Sequence, residues 1–326
     1  MAMIILRDDT EVTTEPSAVA MGVFDGLHRG HQKVITRLCQ IADRHKVRPT
    51  VVTFEPHPAL LLAPERAPLQ IATLEQRLEG LEALGVEQVR VLNFNDDLAH
   101  ETADSFIDRV LVRQLRTRHV VVGEDFHFGN NRDGDVELLR TAGESCGFVV
   151  HPTPIFGDGH RWSSTSVRQA IQGGDLARAN ATLGRPFTLR APVVHGDARG
   201  RDLGYPTANL EPTSRQLIPG VGIYAGAVRT GGQQWRAGAI SVGTRPQFYE
   251  DGHVLVEVHI PGFSGDLYGA SLDVAFLAHL RDESTFTDVE SLVQQIDRDV
   301  AKTLEIFEEY SPEPSTLLAL KFGQRR

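Results

Sequence analysis

Two histidines three residues apart stand in a glycine-rich run, Met21-Gly22-Val23-Phe24-Asp25-Gly26-Leu27-His28-Arg29-Gly30-His31. The apolar run Ala18-Val19-Ala20-Met21 before it reads as a buried strand. Residues 32–45 after it carry Val34, Ile35, Leu38, Ile41 and Ala42 at helical spacing. His28 and His31 therefore sit where a strand turns into a helix. A helix start offers unpaired N–H groups and the positive end of the dipole. Gly22, Gly26 and Gly30 let backbone approach a ligand, and two imidazoles add donors, which suits a polyphosphate. Two other readings use the same residues: the glycines could simply make the turn while the histidines cap or pack, or the His-x-x-His pair could bind zinc. A catalytic zinc takes a third protein ligand, and none stands nearby.

A second polar set lies later, in His195-Gly196-Asp197-Ala198-Arg199-Gly200-Arg201-Asp202-Leu203-Gly204-Tyr205-Pro206-Thr207-Ala208-Asn209. Thr207 and Asn209 are two apart, so extended backbone turns both the same way. Two neutral oxygens can join a magnesium ion held mainly by phosphates and water. In Leu255-Val256-Glu257-Val258-His259-Ile260, alternation puts Glu257 and His259 on one side and the valines on the other. Pattern alone favours a solvent-facing glutamate.

These residues need elements to position them. Residues 49–54 read as a second strand, stopped by Pro56 and Pro58, which stiffen the loop around His57. Such a loop at the carboxyl end of a parallel strand is where open α/β sheets bind ligands. Further strands fall at 87–92, 119–122 and 148–152, with helices at 73–84, 103–116 and 136–145 between them. The alternation implies right-handed crossovers and a parallel sheet. Residues 1–17 read as polar and ragged. The run 123–134 is too polar and glycine-rich for a core. In Arg161-Trp162-Ser163-Ser164-Thr165-Ser166-Val167-Arg168, hydroxyls and two arginines converge on a helix start, where any one Ser or Thr would ordinarily be an N-cap. A short helix over 176–183 precedes Gly184-Arg185-Pro186, the expected domain boundary. Five to six short strands then follow, at 187–194, 222–228, 235–242, 255–260 and 271–276, and suggest an antiparallel barrel. One long amphipathic helix over 288–310 carries Val289, Leu292, Val293, Ile296, Val300, Leu304 and Phe307 on its apolar side.

Several of these motifs are those of a known family. Gly22-x-Phe24-Asp25-Gly26-x-His28-x-Gly30-His31 resembles the signature of the HxGH nucleotidylyltransferases, in the form used by bacterial FAD synthetases. Phe54-x-Pro56-His57-Pro58, Gly123-x-Asp125-Phe126-x-Phe128-Gly129 and Ser163-Ser164-Thr165-x-Val167-Arg168 match that pattern in order, with Trp162 and Val167 in place of its two isoleucines. Leu203-Gly204-Tyr205-Pro206-Thr207-Ala208-Asn209 resembles the riboflavin kinase signature, and 241–248 and Asp266-Leu267-Tyr268-Gly269 also fit, with Gln247 in place of the usual threonine. The resemblance covers essentially the whole chain. It implies a doubly wound, Rossmann-like FMN adenylyltransferase domain over 1–184 and a β-barrel riboflavin kinase domain with a terminal helix over 185–326.

It also implies roles. Gly22, Phe24, His28, Gly30, His31, Ser164, Thr165 and Arg168 would bind ATP for adenylylation, with His28, His31 and Arg168 catalytic. Pro56, His57, Pro58, Asp125, Phe126, Phe128 and Arg161 would form the FMN site. Gly200, Pro206, Thr207 and Asn209 would hold Mg-ATP at a barrel mouth, the last two contacting the metal, and Glu257 would be the kinase's general base. Substrates and products would be riboflavin, FMN, FAD and ATP, with Mg²⁺ as cofactor. Alternatives are a nucleotidylyltransferase for another phosphate and a flavin-binding regulator without turnover.

Composition bounds the rest. The 326 residues allow two domains, and 41% hydrophobic with 23% charged residues is a globular balance. A formal charge of −10 argues against broad nucleic-acid binding. No apolar run is long enough to span a membrane, and no signal peptide is evident. Cys39 and Cys146 have no disulfide or metal spacing, which fits reduced thiols in a cytoplasmic protein. Oligomeric state stays open, a homo-oligomer included.

Overall fold

The computed structural model describes residues 2–7, 11–196, 200, 203–230, 234–244 and 254–310. Gln247 lies outside these. The chain forms two compact units, Met1–Pro68 with Leu74–Ser163, and Leu69–Thr73 with Ser164–Arg326.

The first unit is built on six parallel strands: β1 (Ile4–Leu6), β2 (Ser17–Met21), β3 (Arg48–Glu55), β4 (Gln88–Asn93), β5 (Thr117–Gly123) and β6 (Val149–Thr153). Their order is β1-β4-β3-β2-β5-β6. The order reverses at β2, so right-handed crossovers place helices on opposite faces, as in the expected doubly wound sheet. Central β2 is buried along its whole length. The carboxyl ends of β2 and β5 flank the switch point, where such sheets bind ligands. Residues 1–17 depart from expectation, because Ile4–Leu6 pairs with β4 as an edge strand. Three residues are too few for a periodic signal.

Arg77, in the helix Leu74–Ala83, ties the strand ends together. It is 3% exposed. It donates to Val23 O at 2.9 Å, Thr53 Oγ1 at 3.2 Å and Phe54 O at 3.4 Å, and pairs with Glu55. A guanidinium is always charged, so its burial requires this full set of acceptors.

The second unit is a closed antiparallel barrel of β7 (Phe187–Val194), β8 (Thr207–Leu210), β9 (Gly222–Thr230), β10 (Arg236–Thr244), β11 (Val254–His259) and β12 (Ser271–Arg281), in the order β10-β11-β8-β7-β12-β9. Leu189, Tyr224, Val256, Val258, Val274 and Phe276 fill it. Val167, Ala170 and Ile171 of the helix Ser164–Gln172, and Leu176, Ala179 and Leu183 of the helix Leu176–Leu183, join the same core. Asn180 stitches the second helix to the barrel, donating to Phe276 O at 3.0 Å and accepting from Phe187 N–H at 2.7 Å. This shared core is why the compact units part between 163 and 164.

The C-terminal helix, Val289–Tyr310, is held differently from expectation. Its fully buried residues are Asp299 and Thr303, while Val289 and Leu304 of the apolar row are exposed. Arg281 grips Asp299 through Nε at 3.0 Å and Nη2 at 2.7 Å, and Gln295 adds a bond at 3.0 Å. A polar anchor fixes the helix and leaves part of its apolar row unpacked. Among the described residues no helix is long and apolar enough to cross a membrane.

In the first unit, β5 and β6 bring His119 and His151 together, Nδ1 to Nε2 at 3.1 Å, and the His45 ring lies 4.1 Å from that of His119. Burial, then the neighbouring His45 and His151, push the His119 imidazole from 6.5 down to about 4. His151 is also lowered, by burial and then by Arg37, His45 and Arg44. Between those pH values the unfolded chain binds a proton that folded His119 refuses, so stability falls as pH drops from about 6.5 towards about 4. Chemical denaturation at pH 7 and pH 4.5 should show His119→Gln losing less stability than the wild type, by on the order of 2 kcal/mol. Equal losses would contradict this account of the cluster.

Candidate active sites

After β2 the chain turns sharply, with left-handed backbone at Phe24 (φ 53°), Gly26 (φ 76°) and Leu27 (φ 41°). Glycine accepts this region freely; Phe24 and Leu27 are held there by burial. His28 caps the helix Arg29–His45, its Nδ1 accepting from His31 N–H at 3.4 Å. With Nδ1 accepting, a neutral ring carries its proton on Nε2. The His28 and His31 rings stack with centroids 3.7 Å apart, and Phe24 meets His31 edge-on at 5.2 Å. A Cβ on Gly30 would lie 3.0 Å from His28 Cε1 and 3.1 Å from its Nδ1, so the glycine makes room for the stack. Among the described residues there is no group of three or more His, Cys, Asp or Glu that could hold a metal.

The departure at Trp162 has a local reason. The Arg29 guanidinium lies 4.4 Å from the indole centroid, and the indole N–H donates to Asp158 at 3.0 Å. The loop before the Ser/Thr cluster is thereby latched to the turn that carries the histidines.

The other predicted residues of this site fall as follows. Pro56 follows a cis peptide bond, and His57 Nδ1 accepts from Ala59 N–H at 3.1 Å in a capping contact beside Pro58. Asp125 pairs with Arg161 at 2.5 Å. Phe126 stacks on Phe128 at 5.7 Å, and Phe128 in turn packs on Phe106. Phe128 is a core residue, which leaves Phe126 as the more accessible ring. Gly22 sits against the Phe24 ring, 3.3 Å from where its Cβ would be. Ser164, Thr165 and Arg168 belong to the second unit. There Arg168 Nε donates to Leu69 O at 2.6 Å.

Side chains of the barrel strands alternate between its interior and its outer wall. Val256 and Val258 point into the core, so Glu257 and His259 point outwards. Antiparallel pairing sets Asn209 of β8 opposite Glu257, and Ser241 of β10 opposite Glu257 on the other side. Residues directly opposite share a face, so Asn209, Glu257 and Ser241 form one row and Thr207 and His259 the next. A cavity of about 620 Å³ opens here, with Gly200, Thr207 and Glu257 on one wall and Leu292, Ile296 and Val300 of the C-terminal helix on another. Side chains fill the barrel interior, and the cavity lies between its outer face and the helix.

Asn209 is 5% exposed, and its Oδ1 has no hydrogen-bond partner among the described residues. Gly196 packs on the same amide, where a Cβ would lie 2.3 Å from Nδ2. A buried oxygen without a donor, beside a hydroxyl and across from a carboxylate, fits a magnesium ion that brings its own phosphates and water. Pro206 is fixed alongside by His259 Nδ1, 2.9 Å from its carbonyl.

Sequence reasoning missed Arg77, the Arg281–Asp299 anchor and the cavity-lining place of Leu292, Ile296 and Val300. The last three carry a helical period, which does not distinguish a face packed on protein from one lining a cavity.

Comparison with known proteins identifies a family for each half of the chain. The FAD synthetase family model matches residues 10–166, and the riboflavin kinase model matches residues 183–307. A bifunctional riboflavin kinase/FMN adenylyltransferase of Pseudomonas fluorescens is 42% identical over 86% of this chain and 90% of its own length. That of Escherichia coli K12 is 38% identical over 91% and 95%, and that of Bacillus subtilis 32% over 89% and 92%. A solved structure described as a macrolide-efflux protein from Streptococcus pneumoniae is 32% identical with a TM-score of 0.82, covering 93% of this chain and 99% of its own. The chain belongs to the family of bifunctional riboflavin kinase/FMN adenylyltransferases.

Proposed function

We propose that the two sites divide flavin cofactor synthesis between them. At the outer wall of the barrel, the 5′-hydroxyl oxygen of riboflavin attacks the γ-phosphorus of ATP, its proton passes to Glu257, and FMN and ADP leave. At the other site, a phosphate oxygen of FMN attacks the α-phosphorus of a second ATP, giving FAD and pyrophosphate. The observation that carries this reading is Glu257 on the wall of a ligand-sized cavity, with Asn209 paired opposite it across the strands.

The two nucleophiles explain the different residues. An alcohol must lose a proton, so a carboxylate base helps. The FMN phosphate is already an anion, so its partners are donors that align polyanions and offset growing charge. His28 and His31 fill that role, and Ser164, Thr165 and Arg168 bind triphosphate oxygens. Pro56, His57, Pro58, Asp125, Phe126, Phe128 and Arg161 form the FMN side, and Phe126 supplies a ring face for the isoalloxazine. Thr207 and Asn209 would hold Mg²⁺ in the kinase, where it would offset charge on the phosphates, with Gly200 and Pro206 shaping the approach.

The functional division falls at 1–184 and 185–326. The matched segments, which end at 166 and begin at 183, support it. A cytoplasmic setting is consistent with two free cysteines.

Separable lesions test the assignment. His28→Ala should lower FMN adenylylation by about 10²- to 10³-fold while riboflavin is still phosphorylated. Glu257→Gln should lower riboflavin phosphorylation by about 10²- to 10⁴-fold while supplied FMN is still adenylylated. Chromatography of the products reads both, and loss of both activities in either folded variant would refute the two-site assignment. Gly30→Ala, which pushes a methyl group into the His28 ring, should lower adenylylation alone by roughly 10-fold or more. Wild-type adenylylation in that variant would show that the ring stack is not needed.

A further inference from the structure

The aromatic residue before Pro206-Thr207-Ala208-Asn209 is Tyr205, and its hydroxyl does something that a phenylalanine could not. It donates to Asp297 Oδ1 of the C-terminal helix at 2.5 Å. The two ends of that bond belong to different walls of one cavity. On one side, Tyr205 N–H donates to Gly200 O at 2.8 Å, and a Cβ on Gly200 would lie 2.4 Å from Tyr205 O. The Tyr205 ring meets His259 edge-on at 5.4 Å, while His259 holds the Pro206 carbonyl. On the other side, Asp297 directly follows Ile296 and stands two residues before Asp299, which Arg281 anchors to β12. Tyr205, Ile296 and Asp299 all line the cavity.

We propose that Tyr205 is a positioning residue that straps the nucleotide loop to the helix walling the flavin, so that binding of one substrate favours binding of the other. The proposal rests on the assignment of this cavity to riboflavin and Mg-ATP. Nucleotide held at Thr207 and Asn209 fixes the segment that starts at Tyr205. The strap then holds the helix, with Leu292, Ile296 and Val300 in place against the flavin. Riboflavin against those side chains acts back on the loop by the same amount, since such coupling is reciprocal.

Asp297 is exposed and Tyr205 only half-buried. A bond at the surface adds little to folding and can open and close as substrates come and go.

The test is riboflavin binding to the full-length protein, read by flavin fluorescence, with and without Mg-ADP. The wild type should bind riboflavin more tightly with Mg-ADP present. Tyr205→Phe should lose roughly 3- to 10-fold of that tightening, while its affinity for riboflavin alone changes less than about two-fold. Asp297→Ala should lose the same amount, and the double variant no more than either. No tightening in the wild type, full tightening in Tyr205→Phe, or additive losses in the double variant would overturn the strap. Equal weakening of riboflavin binding with and without Mg-ADP would also overturn it, because that is the mark of a merely structural contact. Glu257→Gln separates this from failure of the site itself. Near-wild-type phosphorylation by that variant would refute the site assignment, whereas a normal Tyr205→Phe beside an inactive Glu257→Gln would refute only the strap.

Discussion

Side-chain alternation along β11 decides where the second chemistry can occur. The closed barrel takes Val256 and Val258 for its core, and the period of two then commits Glu257 and His259 to the outer wall. Antiparallel pairing adds Asn209 and Ser241 to the same row. A slip of one residue would exchange valine for glutamate in the core and remove the site. The cavity that Glu257 lines then lies outside the barrel, against the C-terminal helix. The Arg281–Asp299 anchor fixes that helix, and Leu292, Ile296 and Val300 line the cavity.

The sheet unit obeys a different constraint. Parallel strands end together at the switch point, so the turn after β2 and the loop after β5 share one edge. There the chain spends strain on a tight turn, then caps a helix with an imidazole in place of a hydroxyl or carboxylate. Arg77 fastens the ends of β2 and β3 with bonds to Val23, Thr53, Phe54 and Glu55. Losing such a buried cation's partners would cost several kcal/mol, on the order of 3–5. The stacked His28 and His31 thus sit on a rigid base, as a site that works by alignment requires.

Much of this was legible in the sequence, for physical reasons that can be named. The strand–turn–helix around His28 carries both a buried run and a helical period. The alternation Val256-Glu257-Val258-His259 announces which side faces the core. What escaped depends on contacts far apart in the chain. Ile4–Leu6 is a strand only because β4 lies beside it. The helix Ser164–Gln172 looks like an appendage of the first domain, yet Val167, Ala170 and Ile171 pack with the barrel's interior residues. Leu292, Ile296 and Val300 looked like core because the period that marks a packed face also marks a ligand-lining one. Nothing in the sequence sets Arg77 apart from the other arginines of the chain's helices.

The most direct test is a crystal structure of the full-length chain with riboflavin, Mg²⁺ and ADP. Density for the isoalloxazine between β9–β11 and the C-terminal helix, with the metal about 2.1 Å from Asn209 Oδ1 and the ribityl 5′-oxygen within hydrogen-bond reach of Glu257, is the expected result. Flavin bound elsewhere on the second unit, or a metal remote from Asn209, would contradict the account.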